Sequence, residues 1–361
     1  MKRTALYAVH KAAGARMVEF GGWEMPVEYS GITREHLAVR SAAGIFDVSH
    51  MGEIELRGSG ALALLQYVTS NDASHLKDFQ AQYSALMLPN GAAVDDCVVH
   101  RLKEDLYLLC VNAANIDRDY DWIVRHNRFG AEVENVSDQY SQIALQGPQA
   151  AGILSRVTDA DLSTLRYYWF TQATSCGVSG ILARTGYTGE DGFEFYFTPE
   201  NSERVWNTLL DAGQTEGLLP CGLGARNTLR LEAGYPLYGH ELDAETTLLE
   251  ANLGWICKLE KGDFLGRETL VEERERGLRK KLIGFEMTDR GIARDGYEVL
   301  MEGRKVGRVT SGSPAPFLKK NIGLAYVPPD CAEVGREIQV EIRGHAVDAR
   351  QALLPFYKRP K

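Results

Sequence analysis

The eleven residues Arg184–Glu194, RTGYTGEDGFE, combine one tyrosine, three acids and three glycines. Glycine at this density lets the backbone enter left-handed conformations or pass close to a ligand. An apolar stretch, GVSGILA, precedes the segment and an alternating run, FEFYF, follows it. Tyr187, Glu190, Asp191 and Glu194 are therefore expected on a tight turn between two strands. Two readings fit: a solvated hairpin whose acids face water, or a glycine-rich turn whose backbone passes close to a ligand. A second acidic pair, Asp95-Asp96, lies inside the apolar run NGAAVDDCVVH. Adjacent strand residues point to opposite faces, so one of the two faces a core or a cleft. A carboxylate buried there needs a cation, a donor or a ligand. In a dry pocket it can take a proton or offset a developing positive charge. The structural alternative is that one acid caps the hairpin and the other pairs with an arginine.

A third segment, CGLGARNTLRLEAGYPLYG (221–239), resembles a dinucleotide fingerprint only superficially. It lacks the third glycine, and no parallel strand or downstream ribose-binding acid completes the unit. Arg226 and Arg230 lie four residues apart, hence on one helical face. Arg226 suits a bidentate grip on a carboxylate, either a ligand's or a site acid such as Glu194; a structural ion pair is the plainer alternative. Tyr83, Tyr167, Tyr168, Trp169, Tyr187 and Tyr235 either fill cores or line a slot for a flat heterocycle.

The elements that must carry these residues are mixed. Helices are expected at Thr33–Ala42 (ended by Gly44), Ser59–Val68, Asn115–Phe129 (capped by Asn115, stopped by Gly130), Gln149–Val157, Glu200–Ala212 and Leu223–Ala233. Strands are expected on either side of Ser49 and at Tyr83–Leu88, Ala92–Arg101 and Leu106–Val111, with Asn90-Gly91 as a hairpin turn. After Gly266 the run RETLVEERERGLRKK reads as a solvated helical connector. Beyond it, roughly 80 residues of short alternating strands broken by Gly and Pro predict a small β-barrel or sandwich.

Composition narrows the function classes. With 361 residues, two or three domains are expected. Forty basic against forty-nine acidic residues give a formal charge of −9, which argues against non-specific binding of nucleic acid or membrane. No run approaches the ~20 apolar residues of a membrane helix, and the N-terminus has no apolar signal region. The six cysteines (97, 110, 176, 221, 257, 331) show no paired spacing and read as buried free thiols of a cytoplasmic protein, with a processed organellar form as the alternative. The eight dispersed histidines suggest no metal site.

Five blocks taken together resemble the folate-dependent aminomethyltransferase family, the T-proteins of the glycine cleavage system. They are FGGWEMPVEYSGITREHLAVRSAAGIFDVSHMGE, the VDD strand, RTGYTGEDGFE, GLGARNTLRLEAGYPLYGHELD and VTSGSPAPFLKKNIGLAYV, spread from residue 20 to residue 326. The resemblance implies an α+β fold with a three-domain architecture around a central channel. Residues 1–275 would form the folate-binding region, as interleaved subdomains 1–50 plus 140–275 and 51–139; residues 276–361 would form a C-terminal β-barrel domain. It implies transfer of a methylene carbon from the aminomethyl-dihydrolipoyl arm of a carrier, the H-protein, to tetrahydrofolate. Ammonia and 5,10-methylenetetrahydrofolate would be released, with neither metal nor flavin. By position, Asp96 matches the family's essential aspartate and Glu194 the acid that binds the pterin edge. Tyr83, Asn112, Tyr168, Tyr187, Arg226, Tyr235 and Arg294 fall at its other pocket positions. Asn227 stands where many relatives have Asp, removing a carboxylate beside Arg226. Related folate-dependent demethylases, or a folate-binding regulatory protein of the same fold, are the alternatives. The segment KGDFLGRE, with Asp263 in place of a cysteine, departs from the related tRNA-modification factors, and the length leaves no room for the flavin domain of the related oxidases. An acidic lipoyl carrier would need a basic patch, for which Arg274, Arg276, Arg279, Lys280, Lys281, Lys319 and Lys320 are candidates by charge.

Overall fold

The computed structural model describes residues 1–360, and the chain forms two compact units. The first comprises Met1–Gln66, Ala73–Ser84 and Cys97–Asn227; the second comprises Tyr67–Asp72, Ala85–Asp96 and the chain from Thr228 onward.

The first unit opens with helix α1 (Tyr7–Ala12), an antiparallel ribbon of β1 (Arg16–Phe20) and β2 (Trp23–Glu28), and helix α2 (Ile32–Ser41). Its principal sheet has six strands in the order β10 (Phe170–Ser175), β11 (Val178–Ala183), β12 (Gly192–Phe197), β9 (Ser141–Gln146), β3 (Gly44–Asp47) and β13 (Leu219–Pro220). Pairing is antiparallel apart from β3 with β13. All six residues of β12 are buried, and their period of two explains why. Phe193, Phe195 and Phe197 point to one face and pack with Ile153 and Leu154 of α5 (Ala150–Leu154) and Val205, Trp206 and Leu209 of α6 (Ser202–Gly213). Each such phenylalanine contributes roughly 1.5–3 kcal/mol on burial. The intervening Tyr196 points to the other face and joins Leu108 and Cys110 in a separate core. Glu194 shares that second face.

Leu108 and Cys110 belong to a five-stranded sheet ordered β5 (Gln80–Met87), β6 (Ala93–Lys103), β7 (Leu106–Val111), β4 (Gly52–Arg57) and β8 (Glu132–Asn135), accompanied by α3 (Ala61–Val68) and α4 (Ile116–Arg125). Within the first unit, the second face of β12 is thus covered by β7. Strands β5 and β6 run on into the second unit. Helix α7 (Leu223–Glu232) likewise begins in the first unit and ends in the second.

The second unit holds α8 (Arg267–Arg276) and a closed barrel of β14 (Lys281–Met287), β17 (Lys320–Val327), β16 (Arg304–Ala315), β15 (Glu298–Met301), β18 (Glu337–Ile342) and β19 (His345–Ala352). β14 pairs with both β17 and β19, which closes the sheet and leaves no free edge. Phe285, Val299, Val309, Ala325, Val340 and Ala349 fill its interior. A buried ion pair, Arg230 Nη1 to Glu241 at 2.9 Å, fixes the end of α7. Arg230 also donates to Ser311 Oγ at 2.8 Å, and the Thr310 hydroxyl donates to Glu241 at 2.6 Å.

Several local expectations change. Gly44 does not stop α2 but opens β3, and it is glycine because a Cβ there would overlap Val39 and the Cys221 sulfur. Asn115 occupies the N-cap of α4 without a side-chain cap bond, and the helix stops at Arg125, short of Phe129. The connector helix is not wholly solvated: Leu270 and Glu273 are buried, and Glu273 accepts from the Thr247 hydroxyl at 2.6 Å.

Candidate active site

The turn Arg184–Asp191 joins β11 to β12, which pair antiparallel with Ala183 opposite Glu194. Its acids have separate jobs. Asp191 takes a two-pronged bond from Arg184, Nε at 3.0 Å and Nη2 at 2.6 Å, while Arg184 Nη1 donates to the Leu162 and Leu165 carbonyls. Glu190 pairs with Arg40 of α2 at 2.9 Å, both side chains being buried, and the same guanidinium nitrogen donates to the Thr188 carbonyl at 2.8 Å. Both acids are therefore structural clamps. The glycines serve the same end: a Cβ on Gly186 or Gly192 would overlap the Gln146 side-chain amide. That amide donates to the Thr185 carbonyl at 3.1 Å and accepts from the Thr188 hydroxyl at 2.9 Å. Only Gly189, at φ 82°, provides a left-handed turn position.

Glu194 is the acid left for chemistry. It lies on a central strand, opposite Ala144 of β9 and Ala183 of β11, both small residues. One carboxyl oxygen accepts from Gln142 Nε2 at 3.3 Å and the other from the Thr185 hydroxyl. Burial raises its pKa, against the pull of Thr185 and Arg226, so ionisation depends on these partners. The Arg226 guanidinium lies 4.7 Å over the centre of the Tyr187 ring, a cation–π stack that pins both side chains. His50, on the turn between β3 and β4, is buried and stands edge-on to Phe20 with ring centres 5.6 Å apart. Its pKa is pushed down to about 4, first by burial and then by the Arg226 charge, so it is neutral. Its Nδ1 has no hydrogen-bond partner among the described residues. Glu53 of β4, opposite Cys110 of β7, is also buried, and burial holds its carboxyl well above the usual range.

The first unit thus assembles Tyr187, Glu194 and Arg226, with His50 beside them. It also carries half-buried Tyr83 on β5, Asn112 at the end of β7, and Tyr168. Tyr168 adopts φ 61°, uncommon for a bulky residue. Its N–H donates to the Arg184 carbonyl at 3.0 Å and its carbonyl accepts from Ala81 N–H at 2.8 Å. The second unit carries Asp96, Tyr235 and Arg294. Of the acidic pair on β6, Asp95 is fully enclosed and Asp96 half-buried. Tyr235 follows α7 and Gly234, with its carbonyl accepting from Arg230 at 3.2 Å. Arg294 is exposed, donating to the Gly312 carbonyl at 3.4 Å. Asn227 is exposed.

Residues 6–261 match the family described as the GCVT N-terminal domain, and residues 280–358 match the glycine cleavage T-protein C-terminal barrel domain. The chain belongs to the glycine cleavage T-protein family. An aminomethyltransferase of Acidobacterium capsulatum is 53% identical, covering 100% of this chain and 97% of that protein. One from Desulfitobacterium hafniense strain Y51 is 51% identical, covering 99% of each. The crystal structure of glycine cleavage system aminomethyltransferase T from Bartonella henselae superposes with a TM-score of 0.93 at 32% identity, over 99% of this chain and 98% of that one. The α+β fold with a C-terminal barrel is thereby that of the T-proteins.

Sequence reasoning passed over His50, Gln142 and Thr185. His50 stood in plain view in DVSHMGE, between Ser49 and Met51, and Gln142 stands beside Ile143 near the start of the strand SQIALQ. Among the described residues no group of three or more His, Cys, Asp or Glu side chains is placed to hold a metal ion, and no helix is long and apolar enough to cross a membrane.

Proposed function

We infer that this T-protein is an aminomethyltransferase that moves a methylene carbon from the aminomethyl-dihydrolipoyl arm of the H-protein to tetrahydrofolate. The observation that carries the reading is Glu194, an acid buried on a central strand with one protein donor on each oxygen and the Arg226–Tyr187 stack beside it. Each carboxylate oxygen retains a lone pair. A pterin edge, with its ring N–H and adjacent amino group, supplies two neighbouring donors for them. Tyr83, Asn112, Tyr168, Tyr235 and Arg294 are proposed as further folate contacts. The two sheets support dividing residues 1–275 into subdomains 1–50 plus 140–275 and 51–139: β3 and β9–β13 build one, β4–β8 the other.

Asp96 is the proposed catalytic carboxylate. The transferred carbon gives up its bonds to the carrier sulfur and to nitrogen and gains bonds to two folate nitrogens. The protons lost from those nitrogens leave on the thiol and on ammonia. In between, the carbon is iminium-like and positive, and a fixed carboxylate stabilises that charge and accepts a proton. Asp96 is only half-buried, which suits a group that meets substrate.

For the carrier, the candidate cations divide. Arg279 is engaged with Glu250 at 3.2 Å, Lys280 with Thr246 at 2.7 Å and Lys320 with Glu286 at 2.6 Å. Exposed Arg276 at the end of α8, Lys281 at the start of β14 and Lys319 before β17 are the better proposals for docking an acidic H-protein. The test is formation of 5,10-methylenetetrahydrofolate from aminomethylated carrier and tetrahydrofolate. Product that requires both substrates is expected. Folate binding without carrier-dependent product would move the chain to the demethylase or binding-protein alternatives.

A further inference from the structure

Gln142 is more constrained than a glutamine filling space needs to be. It lies on β9 opposite Tyr196 and is 1% exposed. Its backbone makes three hydrogen bonds with the 48–49 turn. Its N–H donates to Ser49 Oγ at 3.0 Å, and its carbonyl accepts from Val48 N–H at 3.0 Å and from the Ser49 hydroxyl at 3.2 Å. Its side chain bridges two groups with opposite demands. The Cys110 thiol, at 3.7 Å, offers a proton to Oε1, and the Glu194 carboxylate, at 3.3 Å, needs a proton from Nε2. The flipped amide would aim its oxygen at a carboxylate, so the orientation with Nε2 on Glu194 is preferred. A thiol that donates to Oε1 adds a smaller bias the same way, because sulfur is also a weak acceptor. Burial raises the thiol pKa well above its usual range, so Cys110 keeps the proton it donates.

We propose that Gln142 is a positioning and specificity-determining residue: its orientation biased by Cys110, its amide holds Glu194 ionised and turned to accept two adjacent N–H donors from the bound folate. The proposal rests on Glu194 being the acid that binds the pterin edge. With the amide removed, Glu194 keeps Thr185 and the Arg226 field but loses its second donor in a site where burial already disfavours the charge. A protonated Glu194 presents one donor and one acceptor. That mismatches an edge with two donors and accepts an analogue lacking the amino group almost as well.

Equilibrium binding to the full chain at pH 6–9 tests this, with tetrahydrofolate and its 2-desamino analogue as ligands. Gln142→Met should weaken tetrahydrofolate about tenfold, the scale of a lost hydrogen bond to a charged group. It should also shrink the preference over the analogue, and move the fall of affinity on acidification to higher pH. A side chain that merely fills space would leave the preference and pH profile in place. Cys110→Ala, which removes the smaller bias on the amide, should shift the profile in the same direction by a smaller amount, and it serves as the test where Gln142→Met does not fold. Glu194→Gln separates the two layers. If it binds both ligands as the wild type does, the Glu194 reading itself fails. If it loses preference and pH dependence while Gln142→Met and Cys110→Ala keep wild-type affinity, preference and profile, the proposal for Gln142 is overturned.

Discussion

Replacing Arg40 with methionine should destabilise the first unit by about 3–5 kcal/mol, the cost of breaking a buried ion pair from one side. The magnitude follows from what is left behind. Glu190 would keep a buried carboxylate without its 2.9 Å cation, and the Thr188 carbonyl would lose its 2.8 Å donor. Methionine replaces most of the apolar stem, so the loss reports the polar contacts. Urea denaturation followed by tryptophan fluorescence reads the single variants Arg40→Met and Glu190→Gln and the double variant. The double variant should recover a large part of the loss, because the uncompensated charge is gone, with a coupling of about 2 kcal/mol or more. Because the clamp holds the turn that carries Tyr187, Arg40→Met should also weaken folate. A loss below ~1 kcal/mol, or a double variant no better than Arg40→Met, would refute the view that this pair holds the turn.

Glu194→Ala should weaken tetrahydrofolate by ~1.5–3 kcal/mol, as for a lost charge-assisted hydrogen bond, and titration calorimetry would detect an unchanged affinity that contradicts it. His50 and His100 are buried, each with its pKa pushed down to about 4 from 6.5. The unfolded chain therefore takes up their protons at higher pH than the folded one, so their contribution is intact above pH 6.5 and is lost as pH falls toward 4. His100, edge-on to Phe170 and Tyr196, is the cleaner test: His100→Phe should flatten the acid side of the stability curve, and an unaltered curve would count against it. Charge reversal at Arg276 and Lys281 should raise the carrier's KM and reduce its salt dependence while leaving folate affinity alone; a KM indifferent to salt would remove the docking proposal.

The sequence made local patterns legible and left partners hidden. The alternation in FEFYF marked a strand and Asn90-Gly91 a turn, with Gly91 at φ 80°, but Glu194, expected on the turn, lies inside the strand β12. The acids of the turn could not be sorted by type, because the partner of Glu190 is Arg40, 150 residues away. The glycines were visible, but the Gln146 amide they accommodate comes from a neighbouring strand. Barrel and sandwich were indistinguishable because closure depends on β14 pairing with β19, a long-range fact that no local alternation carries. His50 and Gln142 were missed for the same reason: a buried polar residue declares itself only through what surrounds it.

The central claim is carbon transfer assisted by a carboxylate at Asp96. It is tested most directly by the rate of 5,10-methylenetetrahydrofolate formation at saturating aminomethylated carrier and tetrahydrofolate, for the wild type and Asp96→Asn side by side. The account predicts carrier-dependent product in the wild type and a turnover lower by ~10²–10³ in the variant, with folate still bound. Wild-type turnover in Asp96→Asn would contradict it.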